Sequence, residues 1–112
     1  MEIATIIEEG YIIIGVEGDL DASSAIYLDQ EIEQSLEIDK KRVIVNCEKL
    51  EYISSAGLGV FISYLKEFQS REITFVIYGM SDKVKNVFQI LGLDNLVNIA
   101  NSKDEAINEK FD

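Results

Sequence analysis

Apolar positions along this chain follow two rhythms, one with a period of two and one with a period near 3.6. Ile3 to Ile7 and Tyr11 to Val16 are β-rich runs around Glu8-Glu9-Gly10, a spacing that predicts a hairpin. Gly18-Asp19-Leu20-Asp21 breaks the strand pattern and leads into a helix whose Ala25, Leu28, Ile32 and Leu36 recur every three or four residues. Arg42 to Cys47 is a continuous apolar run, as expected of a central strand covered on both faces. A second helix follows, with Leu58, Phe61, Ile62, Leu65 and Phe68 as its predicted core stripe and Ser63 and Tyr64 beside it. Glu72 to Tyr78 reads as a strand, and Lys83 to Leu91 as a helix burying Val84, Val87, Phe88 and Leu91 and stopped by Gly92. Leu96 to Ile99 is a short strand, and Ser102 with Glu105 forms a capping box that opens a last helix. The predicted order is β-β-α-β-α-β-α-β-α: a hairpin joined to alternating elements, hence a mixed α/β sheet with about four packed helices.

The stretch between the central strand and the second helix carries the most chemistry. Ile53-Ser54-Ser55-Ala56-Gly57-Leu58-Gly59-Val60 places two hydroxyls where a helix begins, followed at once by two glycines. A helix start presents unpaired N–H groups and the positive end of a dipole, so it favours an oxygen or an anion. Glycines keep the surface low, which allows another molecule close approach. Spacing alone leaves two readings of Ser55 open: a plain cap, or a group that receives phosphate. The predicted topology puts both serines at the C-terminal side of the central strand, where α/β proteins place their sites.

Composition narrows the choice of partner. The 112 residues, 47% hydrophobic, suit one domain spanning 1–112 that buries about two-thirds of its unfolded surface. Twenty-one acidic against ten basic residues give a formal charge of −11, which argues against nucleic acid and against direct membrane binding. It suits a partner with a basic docking face. The lone Cys47 reads as a small buried hydrophobe, and the absence of a leader or a long apolar run reads as cytoplasmic.

Several chemistries fail on their motifs. Gly57-Leu58-Gly59 starts a dinucleotide fingerprint, but Ile62 occupies the third glycine position. Asp19, Asp21 and Ser23 imitate a calcium loop, yet Ser24 and Gln30 stand where glycine and glutamate are required. No histidine exists for a triad or a zinc site, and the central strand ends in Asn46-Cys47 where a phospho-receiver needs aspartate. The chain reads as a non-enzyme that needs no cofactor and no metal.

The element order, the Gly18-Asp19-Leu20-Asp21 turn and the Ile53–Val60 motif together resemble a STAS domain of the anti-sigma-factor-antagonist type, over nearly the whole chain. That resemblance implies a regulator whose unphosphorylated form binds an anti-sigma factor that is also a serine protein kinase, releasing the sigma factor. Phosphorylation ends the binding and a metal-dependent serine phosphatase restores it. Carried onto this sequence, it implies Ser55 as phospho-acceptor with Ser54 as second choice. It also implies a partner-binding surface of Asp21, Ser54, Ser55, Ala56, Gly57, Leu58 and Gly59. Two positions depart from the family pattern, which usually has aspartate where this chain has Ser54 and often where it has Asn46. Some members of the family are instead permanent scaffold subunits of lipid- or solute-transport complexes, the alternative reading.

Overall fold

A computed structural model describes residues 1–111. Strands β1 (Glu2–Ile7) and β2 (Ile12–Leu20) form the hairpin, followed by α1 (Ala22–Leu36), β3 (Arg42–Ile53) and α2 (Ser55–Ser70). Next come β4 (Thr74–Tyr78), α3 (Asp82–Ile90), a 3-10 turn (Leu93–Asn95), β5 (Asn98–Ala100) and α4 (Lys103–Asn108). The five strands lie in the sheet in their order along the chain. β1 is antiparallel to β2, and every later pairing is parallel. The predicted mixed α/β order is therefore the observed one.

Period-two burial on the strands sorts the core between two faces. Ile12, Ile14, Val16, Val43, Val45, Cys47, Phe75 and Ile77 point to the face packed by α1, α2 and α3. Ile13, Ile44, Val76 and Tyr78 point to the other, which α4 covers through Ala106. Steady movement from β2 to β5 with right-handed crossovers keeps the first three helices on one side. Aromatic rings fill the space beneath α2, where Phe68 stacks on Phe75 with centroids 4.7 Å apart.

Several boundaries differ from the sequence expectation for identifiable reasons. β3 does not stop at Cys47 but runs to Ile53, because Leu50 and Ile53 stay buried while Glu48, Lys49, Glu51 and Tyr52 face solvent. Likewise Gly18-Asp19-Leu20 is still β2, hydrogen-bonded to β3 across two register shifts, and only Asp21 breaks it. Gly18 has φ +90, which a side chain would strain. On α2, Tyr64 is buried and Ile62 is 44% exposed, the reverse of the expected stripe. α2 packs on α1 as well as on the sheet, and the Tyr64 hydroxyl donates to the Asp29 carbonyl at 3.1 Å. Leu91 is exposed, because α3 ends at Ile90 and Gly92 turns the chain with φ +71 into the unforeseen 3-10 turn.

Candidate functional site

The extended β3 carries the serines past the end of β4, and β2 follows it there. Leu20 pairs with Ile53, and the Ser54 amide donates to the Leu20 carbonyl at 2.9 Å. The starts of α1 and α2 are thereby locked side by side, and Asp21 and the two serines share one edge.

The two hydroxyls do different things. Ser54 is the N-cap of α2, in extended conformation, and its Oγ accepts from the Gly57 amide at 3.2 Å. Ser55 is the first helical residue and is exposed, and no hydrogen bond among the described residues uses its Oγ. The first turn of α2 contains no acidic side chain, so its dipole meets no carboxylate of its own.

The two glycines also differ. Gly57 is buried, and a Cβ there would lie 2.7 Å from Leu20 Cγ and 3.1 Å from Ile53 Cγ1. Leu20 is fully buried and has nowhere to move. Gly57 is thus a packing glycine that lets α2 settle onto the end of β2. A Cβ on Gly59 would meet nothing within 4 Å. Nothing inside the chain requires glycine at that exposed position.

Of the residues implied as partner-binding, Asp21, Ser55, Ala56 and Gly59 are exposed and Ser54 is half-buried. Gly57 and Leu58 are turned into the core, so they shape the surface from beneath. Ile62, expected in the core stripe from its spacing, belongs with the exposed group. Ser55, Gly59, Ile62 and Lys66 are all exposed, at successive spacings of four, three and four residues along α2. Those spacings align on one helical stripe, a signal the sequence contained.

Asp21 caps α1. Its Oδ1 accepts from the Ser23 hydroxyl at 2.8 Å and from the Ser23 and Ser24 amides at 3.0 Å each. The Ser24 hydroxyl returns the favour by accepting from the Asp21 amide at 2.9 Å, closing a capping box. These bonds, the Ser23 hydroxyl foremost, hold the Asp21 carboxyl at about 2, below its ordinary 3.8. It therefore stays charged, on the edge it shares with Ser55, over the whole physiological range. Asn46 does not belong to this edge. It alternates with Val45 and Cys47, so it faces the opposite side of the sheet from α2, and its Oδ1 accepts from the Glu48 amide. Cys47 is buried, and desolvation pushes its thiol up to about 12. Among the described residues no group of three or more carboxylate or thiol side chains could hold a metal ion. Nor, among the described residues, is any helix long and apolar enough to cross a membrane.

A hydroxyl-bearing helix start beside a carboxylate-capped turn, on a five-stranded mixed sheet, defines a class. The STAS domain family model matches residues 2–106, and the chain belongs to that family. It is 31% identical over 99 residues to an anti-sigma-B factor antagonist of Listeria monocytogenes, covering 85% of this chain and 83% of that one. Among solved structures, the unphosphorylated anti-sigma factor antagonist SpoIIAA superposes with a TM-score of 0.81 at 22% identity, covering 96% of this chain and 94% of that one. The Bacillus cell fate determinant SpoIIAA in phosphorylated form gives 0.73 at 21% identity, covering 96% and 97%. At such identities these two likenesses concern the fold alone.

Proposed function

We propose that this chain is an anti-sigma factor antagonist switched at Ser55. Unphosphorylated, it binds an anti-sigma factor that is also a serine kinase and so frees the sigma factor. Phosphorylation of Ser55 ends that binding, and a metal-dependent serine phosphatase restores it. The chain acts as a regulator and performs no catalysis of its own. The observation that carries this reading is the division of labour between neighbours: Ser54 Oγ is engaged as the cap, whereas Ser55 Oγ is exposed and uncommitted. A kinase can take the second hydroxyl without unravelling the helix. The likeness to the Listeria anti-sigma-B factor antagonist supports the regulatory class.

The physical chemistry of such a switch is local. A phosphate on Ser55 adds a charge of about −1.5 to −2. The bare N-terminus of α2 tolerates it, with a gain on the order of 0.3–1 kcal/mol. The fold persists, but the surface changes. A partner seated on Ser55, Ala56, Gly59 and Ile62 would have to bury that dianion beside Asp21, already charged. An uncompensated buried charge costs about 3 kcal/mol or more, roughly a hundredfold in affinity.

The test is calorimetric binding of the cognate anti-sigma kinase to the wild type and to the Ser55→Glu and Ile62→Ala variants. Tight binding by the wild type and loss in both variants supports the switch surface. Equal affinity for all three removes Ser55 from the interface. That result would favour the alternative, a permanent scaffold subunit of a transport complex.

A further inference from the structure

We propose that the free edge of β1, with the groove between it and α1, is a strand-addition site for an extended, lysine- or arginine-bearing segment of a partner protein. Among the described residues β1 is the outermost strand and pairs only with β2, so one row of its backbone N–H and C=O groups has no strand beside it. Edge strands are normally protected by a lysine, a proline, a bulge or a covering element. β1 has neither lysine nor proline, and its register with β2 is unbroken from Glu2 to Ile7. Ile6 and Ile7 are each 53% exposed. Its single charge, Glu2, lies at its start and repels an acidic neighbour rather than a basic one.

The second observation is what lies alongside. A groove of about 480 Å³ separates β1 from α1, with Met1 and Ile3 on one wall and Tyr27, Gln30 and Gln34 on the other. Tyr27 is 62% exposed. The Thr5 hydroxyl donates to Glu31, fixing that carboxylate in the groove wall. An edge strand beside a helix is the arrangement in which an added peptide takes main-chain bonds from the strand and side-chain contacts from the helix. Alternate side chains of the guest would meet Tyr27, Gln30 and Glu31, and the others would lie over Ala4 and Ile6 on the open face.

Charge selects the occupant. No lysine or arginine lines the groove, Glu31 sits in it, Glu2 begins the strand, and the chain carries −11 overall. A second copy fits worse: antiparallel pairing about Thr5 would set Ile3 opposite Ile7 of the copy, but also Glu2 opposite Glu8 at both ends. The far end of the groove at Ser23 adjoins Asp21, so one partner could span this groove and the Ser55 edge. The inference does not depend on Ser55 receiving phosphate.

The test titrates the isotope-labelled full chain with a short blocked peptide alternating valine and lysine, and with its valine–glutamate counterpart. The expected result is saturable shift changes and slowed amide exchange confined to Glu2–Ile7 and the Tyr27–Gln34 face, from the lysine peptide only. Glu31→Lys and Tyr27→Ala should each weaken binding by about tenfold or more, with spectra still those of a folded protein. The proposal is overturned by no binding at millimolar peptide, by equal binding of the glutamate peptide, by shifts centred on another element, or by variants that bind unchanged. Concentration-dependent dimerisation through β1 would also overturn it, in favour of a second copy.

Discussion

Ser54 and Ser55 are chemically identical neighbours that substitution should tell apart. Ser54→Ala removes the cap of α2 and should cost about 1 kcal/mol, whereas Ser55→Ala, at an exposed and unbonded hydroxyl, should stay within roughly 0.5 kcal/mol of the wild type. Urea unfolding midpoints at constant slope measure both. The glycines make a second contrast. Gly57→Ala should destabilise, because about 1–3 kcal/mol of overpacking against Leu20 outweighs the ~0.5–1 kcal/mol gained in helix propensity. Gly59→Ala meets nothing and should stabilise the fold by that smaller amount while weakening anti-sigma factor binding, a trade that melting temperature and calorimetry detect together. Asp21 gives a pH signature. Its carboxyl is depressed, so its contribution is complete above about 3.8 and disappears as pH falls through about 2. The carboxyl carbon resonance should titrate near 2, and the first-turn amides of α1 should lose protection across that window. A midpoint near 3.8 would mean the cap is not formed in solution. Cys47, buried with its thiol pushed up to about 12, should react with thiol reagents only after unfolding.

At the scale of elements, most of the fold was legible because its periodicities are strong, and the misses share one cause. Periodicity identifies a face but not how many neighbours it packs against. The apolar stripe expected on α2 presumes a single sheet beneath it. Contact with α1 rotates the buried arc, bringing Tyr64 in and leaving Ile62 out. The second half of β3 was hidden because it has a partner on one side only, β2, and carries Glu48, Lys49 and Glu51 where a fully covered strand would be apolar. For the candidate site, the serines, the glycines and Asp21 were legible from type and spacing. Which serine caps and which glycine packs was not, since both follow from the seating of Leu20 under α2, a contact between residues far apart in sequence.

For the whole molecule, charge and topology act together. Two ion pairs, Lys49–Glu17 and Arg71–Glu67, are present among the described residues, both exposed, against 21 acidic side chains in the sequence. Most of the field is uncompensated and extends into solvent. Association with a basic partner should therefore be fast at low salt and slow steeply with ionic strength, while dissociation changes little; stopped-flow rates across a salt series would reveal this. The topology brings two helix starts together at one edge, where β2 and β3 outrun β4. Ser55 is the residue we propose is modified there. Its most direct test is intact-mass and site-resolved mass spectrometry after incubation with the cognate anti-sigma kinase and ATP, on wild type, Ser55→Ala and Ser54→Ala. One added phosphate is expected on wild type and on Ser54→Ala, and none on Ser55→Ala. A phosphate that persists in Ser55→Ala, or none on a wild type that binds the kinase stably, would remove Ser55 as the acceptor.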